Sequence, residues 1–470
     1  MDTRNHNNRS RNSSRSKSRR NRETALELRG TVSIELLVIM VPVLFGLMGF
    51  AVDLGRLYLI KGELNQAANA MAMSAAAQLN GTAGSLETAA LAANVTLDPS
   101  LNDGNRYNFG SLEIGQTTGT LSSSIAAPQF YSTLTDAIDP TSTNYADGTT
   151  AQYTQISLQA DAPLLFWSLL SLGQAKKTTV GAFAVAGISA PLCTVCSNED
   201  FAVAALDASD PVNFGFSFNT KYTLYFDCTG TNNVALLGDS TQTLPYVVID
   251  RYNPNTSLAE DQQLFRIGAG GLVPLPATSN GTANRALACY AVGALEYLWG
   301  GAGTGGTVTT PSACTTATAN PRVVDVLCGI YSRFDDPNNL TACASITDIT
   351  DIATAYGPDT DTNDYDDYTA YGGNGRRIMT IPVVDALQTT STGQMTVLGF
   401  RQFFVTPTPN PNTGLGNDPS DSHGRFAAIY IGSVAPVKQG YFTSQLNSFP
   451  SAPAAACGIT SGPGKVVLHQ

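Results

Sequence analysis

Between Leu36 and Val52 the chain runs for seventeen residues without a charge (LLVIMVPVLFGLMGFAV). A segment this apolar either crosses a bilayer or lies buried inside a protein. The charges around it decide between the two. Residues 1–29 carry nine Lys/Arg against three Asp/Glu, a net of +6, whereas residues 62–470 carry 15 against 32, a net of −17. Glu35 and Asp53 bound the run, and only Arg56 and Lys61 lie close on its far side. Basic flanks stay in the cytoplasm, so the asymmetry predicts a single-pass helix with residues 1–29 inside and the remainder outside. A cleaved secretory signal fits poorly, because the first alanine-rich stretch begins only near Ala67. Arg19-Arg20 is not followed by the apolar residues that a twin-arginine signal needs. The Arg/Ser/Asn-rich tail reads as a disordered basic segment lying at an anionic leaflet rather than as an RNA-binding arm.

The helix is expected to continue past the membrane. Leu57, Leu64, Ala68, Met71, Ala75 and Leu79 fall on one helical face, and Asn80-Gly81 supplies a stop signal. A continuous helix from Val32 to Leu79 would be about 70 Å long. Its second half, Gln66 to Gln78, is rich in small residues and suited to close packing against another helix or against its own domain. Pro42, Gly46 and Gly49 are candidate kink positions.

Glu35 sits at the cytoplasmic edge of the apolar run, five residues after Gly30. A carboxylate so close to lipid usually has a partner or a role. It can simply reach the interface beside Arg29. Alternatively, Gly30-Thr31 is a pilin-type processing site, and Glu35 becomes the fifth residue of the mature chain.

Arg29-Gly30, Glu35, the apolar run with Pro42, Val52-Asp53-Leu54-Gly55-Arg56 with Tyr58, and Gln66-Ala67-Ala68-Asn69-Ala70 together form a pattern. In these residues the segment Arg29–Leu79 resembles the N-terminus of the TadE/TadG-like proteins of Flp (tight adherence) pilus systems. The stretch Ala162–Ser189 is similar to the end of the first periplasmic module of the long, TadG-like members. The resemblance implies a bacterial inner-membrane protein that assembles or anchors a pilus, with other pilus-assembly or pilin subunits as partners. It makes Asp53, Gly55 and Arg56 an anchor signature. It leaves two fates for the Gly30–Thr31 bond: cleavage, as in the short pseudopilin-like members, or retention as a permanent anchor. Some relatives carry a von Willebrand type A metal site; the nearest match, Asp207-Ala208-Ser209-Asp210-Pro211, has Pro211 in place of the second serine.

Beyond the anchor, composition predicts an α+β chain: a small mixed module over residues 81–190, then a β-rich, sandwich-like domain over residues 191–470. Tyr153–Leu158 alternates like a strand, and Pro163–Leu172 is an apolar run read as a short buried or interfacial helix. Tyr222–Cys228, Tyr246–Ile249, Ile378–Val384, Met395–Val405 and Phe426–Val434 read as strands, and Asn284–Trp299 as the best helix candidate among them.

All eight cysteines (Cys193, Cys196, Cys228, Cys289, Cys314, Cys328, Cys343 and Cys457) follow the anchor. An even number on the outer side predicts disulfides, with the pairing left open. Cys193-x-x-Cys196 has neither a second CxxC nor a nearby histidine to complete a zinc site. The acidic segment Asp359–Tyr368 offers Asp359, Asp361, Asn363, Asp364 and Asp366, but an EF-hand needs Gly at the position of Asp364 and Glu at that of Ala370. A looser Ca²⁺ site and a solvated acidic loop are the two readings. No motif requires a cofactor, and the net −17 disfavours nucleic acid outside the membrane.

Enzymatic signals are thin. His6 lies in the tail and His469 next to the end, while His423 lacks any G-x-S-x-G nucleophile to serve. Gly300–Gly306 is not followed by the Lys-Ser/Thr of a phosphate loop. The expectation is a non-enzymatic pilus component, with a tethered adhesin or glycan-binding protein as the alternative and a tethered hydrolase a distant third.

Overall fold

The computed structural model describes residues 11–95, 123–125, 127–164, 166–167, 176–196, 199–227, 234–249, 266, 268–271, 289–297, 321–335, 343, 357–361, 366–388, 394–408, 421, 423–444 and 457–469. The elements in chain order are α1 (Arg11–Ala76), α2 (Ser85–Val95), β1 (Ser123–Ile125), β2 (Gln129–Tyr131), α3 (Leu134–Ile138), β3 (Tyr153–Leu164) and β4 (Lys176–Ile188). There follow β5 (Thr194–Cys196), β6 (Phe201–Ala204), β7 (Lys221–Phe226), β8 (Gln242–Val248), β9 (Cys289–Ala291), β10 (Leu295–Tyr297) and α4 (Pro321–Tyr331). Last come β11 (Ile378–Val384), β12 (Gln394–Val405), β13 (Phe426–Gly432), β14 (Gly440–Tyr441) and β15 (Val466–Leu468).

Two compact units emerge, and their division falls within α1, β3 and β4 rather than between elements. One contains residues 1–66, 108–125 and 158–182; the other contains 67–107, 126–157 and 183–470. Helix α1 begins at Arg11, inside the basic segment read as disordered, and carries Pro42 in its interior. It ends at Ala76, three residues before the expected Leu79, and the turn follows at Asn80-Gly81. Gly81 adopts a φ of 77°, a conformation that costs glycine least, and the Asn80 side chain accepts from the Thr82 N–H at 3.2 Å.

In the larger unit, the end of α1 is core. Ala67, Ala68, Met71, Ala72, Ala75, Ala76 and Leu79 are all buried, as are Ala89 and Ala93 of α2, and Ser74 Oγ donates to the Ala92 carbonyl at 3.0 Å. The small-residue stripe therefore packs within its own domain, one of the two uses its composition allows.

The β-rich part closes on itself. Its strand order is β10-β12-β11-β6-β8-β7-β13, and β12 also pairs with β13. Six strands thus form a ring, with β10 an extra strand on β12, where the sequence suggests a sandwich. Two neighbours run parallel, β7–β8 and β6–β11, and the other ring pairings are antiparallel. Alternate residues such as Phe201, Leu224, Tyr246, Ile381, Phe403 and Tyr430 form one buried cluster, to which α4 adds Val326, Leu327 and Ile330. The other face is covered as well. Ala202, Val247, Val384 and Val397 pack with Val195 and Tyr290 from the small sheet β14-β5-β9, while Phe404, Ile429 and Ile431 pack with Tyr368 and Tyr371. Burial on both faces explains why β12 ends in seven consecutive buried residues.

The expected strands at Tyr222, Tyr246, Ile378, Met395 and Phe426 are present with shifts of a few residues. The expected helix Asn284–Trp299 is not: its described part is β9 and β10 around a turn at Gly293, whose φ of 80° would interrupt a helix. There β9 finds β5 and β10 finds β12, and these partners override the helical composition. The apolar run Pro163–Leu172 begins as the end of β3, and Phe166 and Trp167 are helical; Leu165 and the residues after Trp167 lie outside the described part.

Candidate membrane anchor

Among the described residues, one helix is long and apolar enough to cross a membrane, beginning at Ile34 within α1. Its large side chains are exposed from Ile34 through Val52, and the apolar surface continues with Leu54, Tyr58 and Leu59. Glu35 is also exposed. Gly30 and Thr31 lie in α1, but their side chains fall outside the described part.

The exposed surface is broken on one side, at Gly49 and Asp53. These residues are four apart and so share a helical face. A β-carbon on Gly49 would fall 2.0 Å from Phe166 Cγ, so the phenyl ring lies directly on bare helix backbone. One turn further on, the Asp53 carboxylate accepts the backbone N–H groups of Phe166 at 3.0 Å and Trp167 at 3.1 Å. Both donors are main-chain N–H groups, so the carboxylate is bound by backbone rather than by a side chain. Asp53 is only 7% exposed, so each side satisfies a polar group that burial would otherwise penalise. Further along, Lys61 Nζ donates to the Gly181 carbonyl, and Thr179 Oγ1 donates to Asp161 at 2.9 Å.

The anchor signature thus separates into unequal parts. Asp53 holds the turn and Arg56 is half-buried, whereas Gly55 is exposed with room for a side chain. Sequence reasoning treated Gly49 only as a kink candidate and did not single out Phe166. The i, i+4 pair of a glycine and an acid on an apolar helix was the available signal.

The acidic segment does not converge. Asp359 is buried, accepts from the Tyr371 hydroxyl, and lies 3.6 Å from Arg377 Nε. The Arg377 guanidinium stacks over Phe404 at 4.3 Å and Tyr371 at 5.0 Å. Burial and the neighbouring carboxylate push the Tyr371 hydroxyl well above its usual range, so it remains a donor. Asp366 is exposed and paired with Lys221 at 2.5 Å. Asp361 is half-buried, and Asn363 and Asp364 lie outside the described residues. Asp359 and Asp366 therefore use cations of the chain itself. Among the described residues, no group of three or more His, Cys, Asp or Glu side chains is placed to hold a metal.

Asp207 and Asp210, the nearest match to a type A metal site, turn into their own loop. Asp207 accepts from Ser209 N and Oγ at 2.9 and 2.6 Å, and Asp210 from the N–H groups of Val212, Asn213 and Gly215. His423 lies in a turn before β13. Asp421, the acid beside it in sequence, accepts from the His423 backbone N–H at 2.8 Å and pairs with Arg425.

A buried charge pair in the body is one the sequence did not reveal. Arg333 and Glu199 meet at 2.6 Å, both side chains 2% exposed. Arg333 also donates to the carbonyls of Ala269, Arg376 and Ile378. Burial outweighs the arginine's charge and pushes the Glu199 carboxyl up to about 7.

Three disulfides lie among the described residues: Cys193–Cys457, Cys196–Cys289 and Cys328–Cys343. The two cysteines of the CxxC thus bond elsewhere rather than to each other. Cys228 and Cys314 lie outside the described residues. In comparisons with family models, curated proteins and solved structures, the chain matches none.

Proposed function

We propose that the protein is a non-enzymatic, single-pass component of a Flp/Tad-type pilus system in the bacterial inner membrane. Its N-terminus is cytoplasmic and its disulfide-bonded body lies outside, where it assembles or anchors the pilus for surface attachment through other pilus-assembly or pilin subunits. The observation that carries this reading is the placement of Asp53. The acid of the pilus-type signature is buried against a turn that returns from more than a hundred residues away, so the signature is part of how the anchor is built. The disulfides support an oxidising compartment on the far side of the helix. Two buried acids of the body, Glu199 and Asp359, pair with its own arginines, which supports a structural role over hydrolysis.

Two measurements test it. Deleting the protein should abolish piliation and surface attachment; unchanged pili would sink the reading. N-terminal mass analysis of the membrane-extracted chain separates a mature start at Thr31, which would make it pilin-like, from an intact basic tail, which would make it a permanent anchor.

A further inference from the structure

We propose that the turn carrying Phe166 and Trp167 is a second membrane-embedded element, seated on α1 at Gly49 and Asp53 and facing the lipid of the outer leaflet. This rests on α1 spanning the membrane. The depth follows from helix geometry. From Ile34 to Asp53 the helix rises about 29 Å, close to the ~30 Å thickness of a bilayer's hydrocarbon core. Asp53 therefore marks the outer boundary, and Gly49 lies about 6 Å deeper. Trp167, bonded through its backbone to Asp53, is held at the level where tryptophan rings collect at membrane interfaces. Phe166, laid on Gly49, reaches one turn further in.

Three observations favour lipid as the neighbour. Trp167 is 55% exposed although its backbone is pinned, so the indole projects from a fixed base. The helix beside it remains apolar past Asp53, with Leu54, Tyr58 and Leu59 exposed, so the apolar band extends above the uncharged run. Finally, an acid and partnerless N–H groups are each costly at membrane depth, and the two bonds from Phe166 and Trp167 to Asp53 pair them with each other.

The chain has two tryptophans, so Trp299→Phe leaves Trp167 as the sole reporter. The full chain with this substitution is reconstituted into phosphatidylcholine/phosphatidylglycerol vesicles. Trp167 fluorescence is then measured with lipids brominated at shallow and deep acyl positions, and with acrylamide in the water. The expected result is blue-shifted emission, at least a twofold loss of intensity with shallow bromines, a smaller loss with deep ones, and weak acrylamide quenching. Adding Gly49→Leu, which fills the space of the Phe166 ring, should restore acrylamide quenching while the chain resists carbonate extraction. Strong acrylamide quenching without Gly49→Leu, with no response to bromine in a carbonate-resistant chain, would overturn the second element and leave the helix reading intact. Unchanged lipid quenching in Gly49→Leu would overturn the seat on α1. Release of the chain by carbonate would instead remove the membrane reading itself.

Discussion

Replacing Arg333 with methionine keeps the bulk of the side chain and removes its guanidinium. The substitution takes away the 2.6 Å contact to Glu199 and the donors to the carbonyls of Ala269, Arg376 and Ile378. Breaking a buried pair while leaving its partner charged costs about 3–5 kcal/mol, enough to lower Tm by on the order of 10 °C. The cost should depend on pH. Raising the Glu199 carboxyl from 4.5 to about 7 means that the folded protein holds this proton more tightly than the unfolded chain does. The corresponding stability, roughly 3 kcal/mol, is fully present below pH 4.5 and lost as pH rises through about 7. Arg333→Met removes both influences that hold this carboxyl down, the arginine's charge and its hydrogen bond. The loss with rising pH should therefore deepen and extend to higher pH, and the mutational cost should be largest near about pH 8 and smaller near about pH 5. Denaturant titrations of the detergent-solubilised full chain, followed by near-UV circular dichroism, would measure this. Adding Glu199→Gln to Arg333→Met should recover much of the loss near pH 8. A cost below about 1 kcal/mol, or one equal at both pH values, would refute the assignment of a buried, proton-linked pair.

Four further outcomes are expected. Substituting both Cys328 and Cys343 with serine opens a bridge of sequence separation 15 and should cost about 3 kcal/mol by chain entropy, read from the shift in urea midpoint. A non-reducing peptide map should link Cys193 to Cys457 and Cys196 to Cys289, and a Cys193–Cys196 peptide would contradict the pairing. Millimolar Ca²⁺ should shift Tm by less than about 1 °C, because Arg377 and Lys221 already neutralise Asp359 and Asp366; a saturable shift equivalent to more than about 2 kcal/mol would restore the cation site. A chain beginning after Leu79 should fail to fold as a monomer. It loses buried Met71 and Leu79, worth about 1.5–3 kcal/mol each, along with five buried alanines, and a cooperative melt of that fragment would refute this.

The strands were legible where one short segment carried its own signal. Ile378–Val384 and Phe426–Gly432 are β-branched or aromatic and end at turn residues, so local chemistry sufficed. The ring was not legible, because its closure depends on β12 meeting β13 and on a two-residue parallel contact between β6 and β11. Neither contact leaves a trace in sequence spacing. Asn284–Trp299 misled for a related reason. Its Ala, Leu and Glu content favours a helix in isolation, but Gly293 and the partners of β9 and β10 decide the outcome. In the anchor, Asp53 stood out as an acid ending an apolar run, while the group that satisfies it lies over a hundred residues downstream.

The same helix illustrates why an acid can sit where Asp53 sits. From Ile34 to Val52 the side chains have no protein around most of the helix, and large apolar groups are what such a surface can carry. From Ala67 to Ala76 the reverse holds: most side chains are small and many are buried, so the backbone itself approaches its neighbours. Between these stretches the helix must change from large exposed residues to small enclosed ones. Glycine at 49 removes the side chain so that Phe166 can lie on the backbone, and Asp53 supplies the two acceptors that the incoming turn lacks. A leucine at 53 would preserve hydropathy and leave two N–H groups unsatisfied; if α1 spans the membrane as proposed, an aspartate without the turn would leave a charge facing lipid. Neither residue is stable there alone, so the acid and the returning turn form one structural unit.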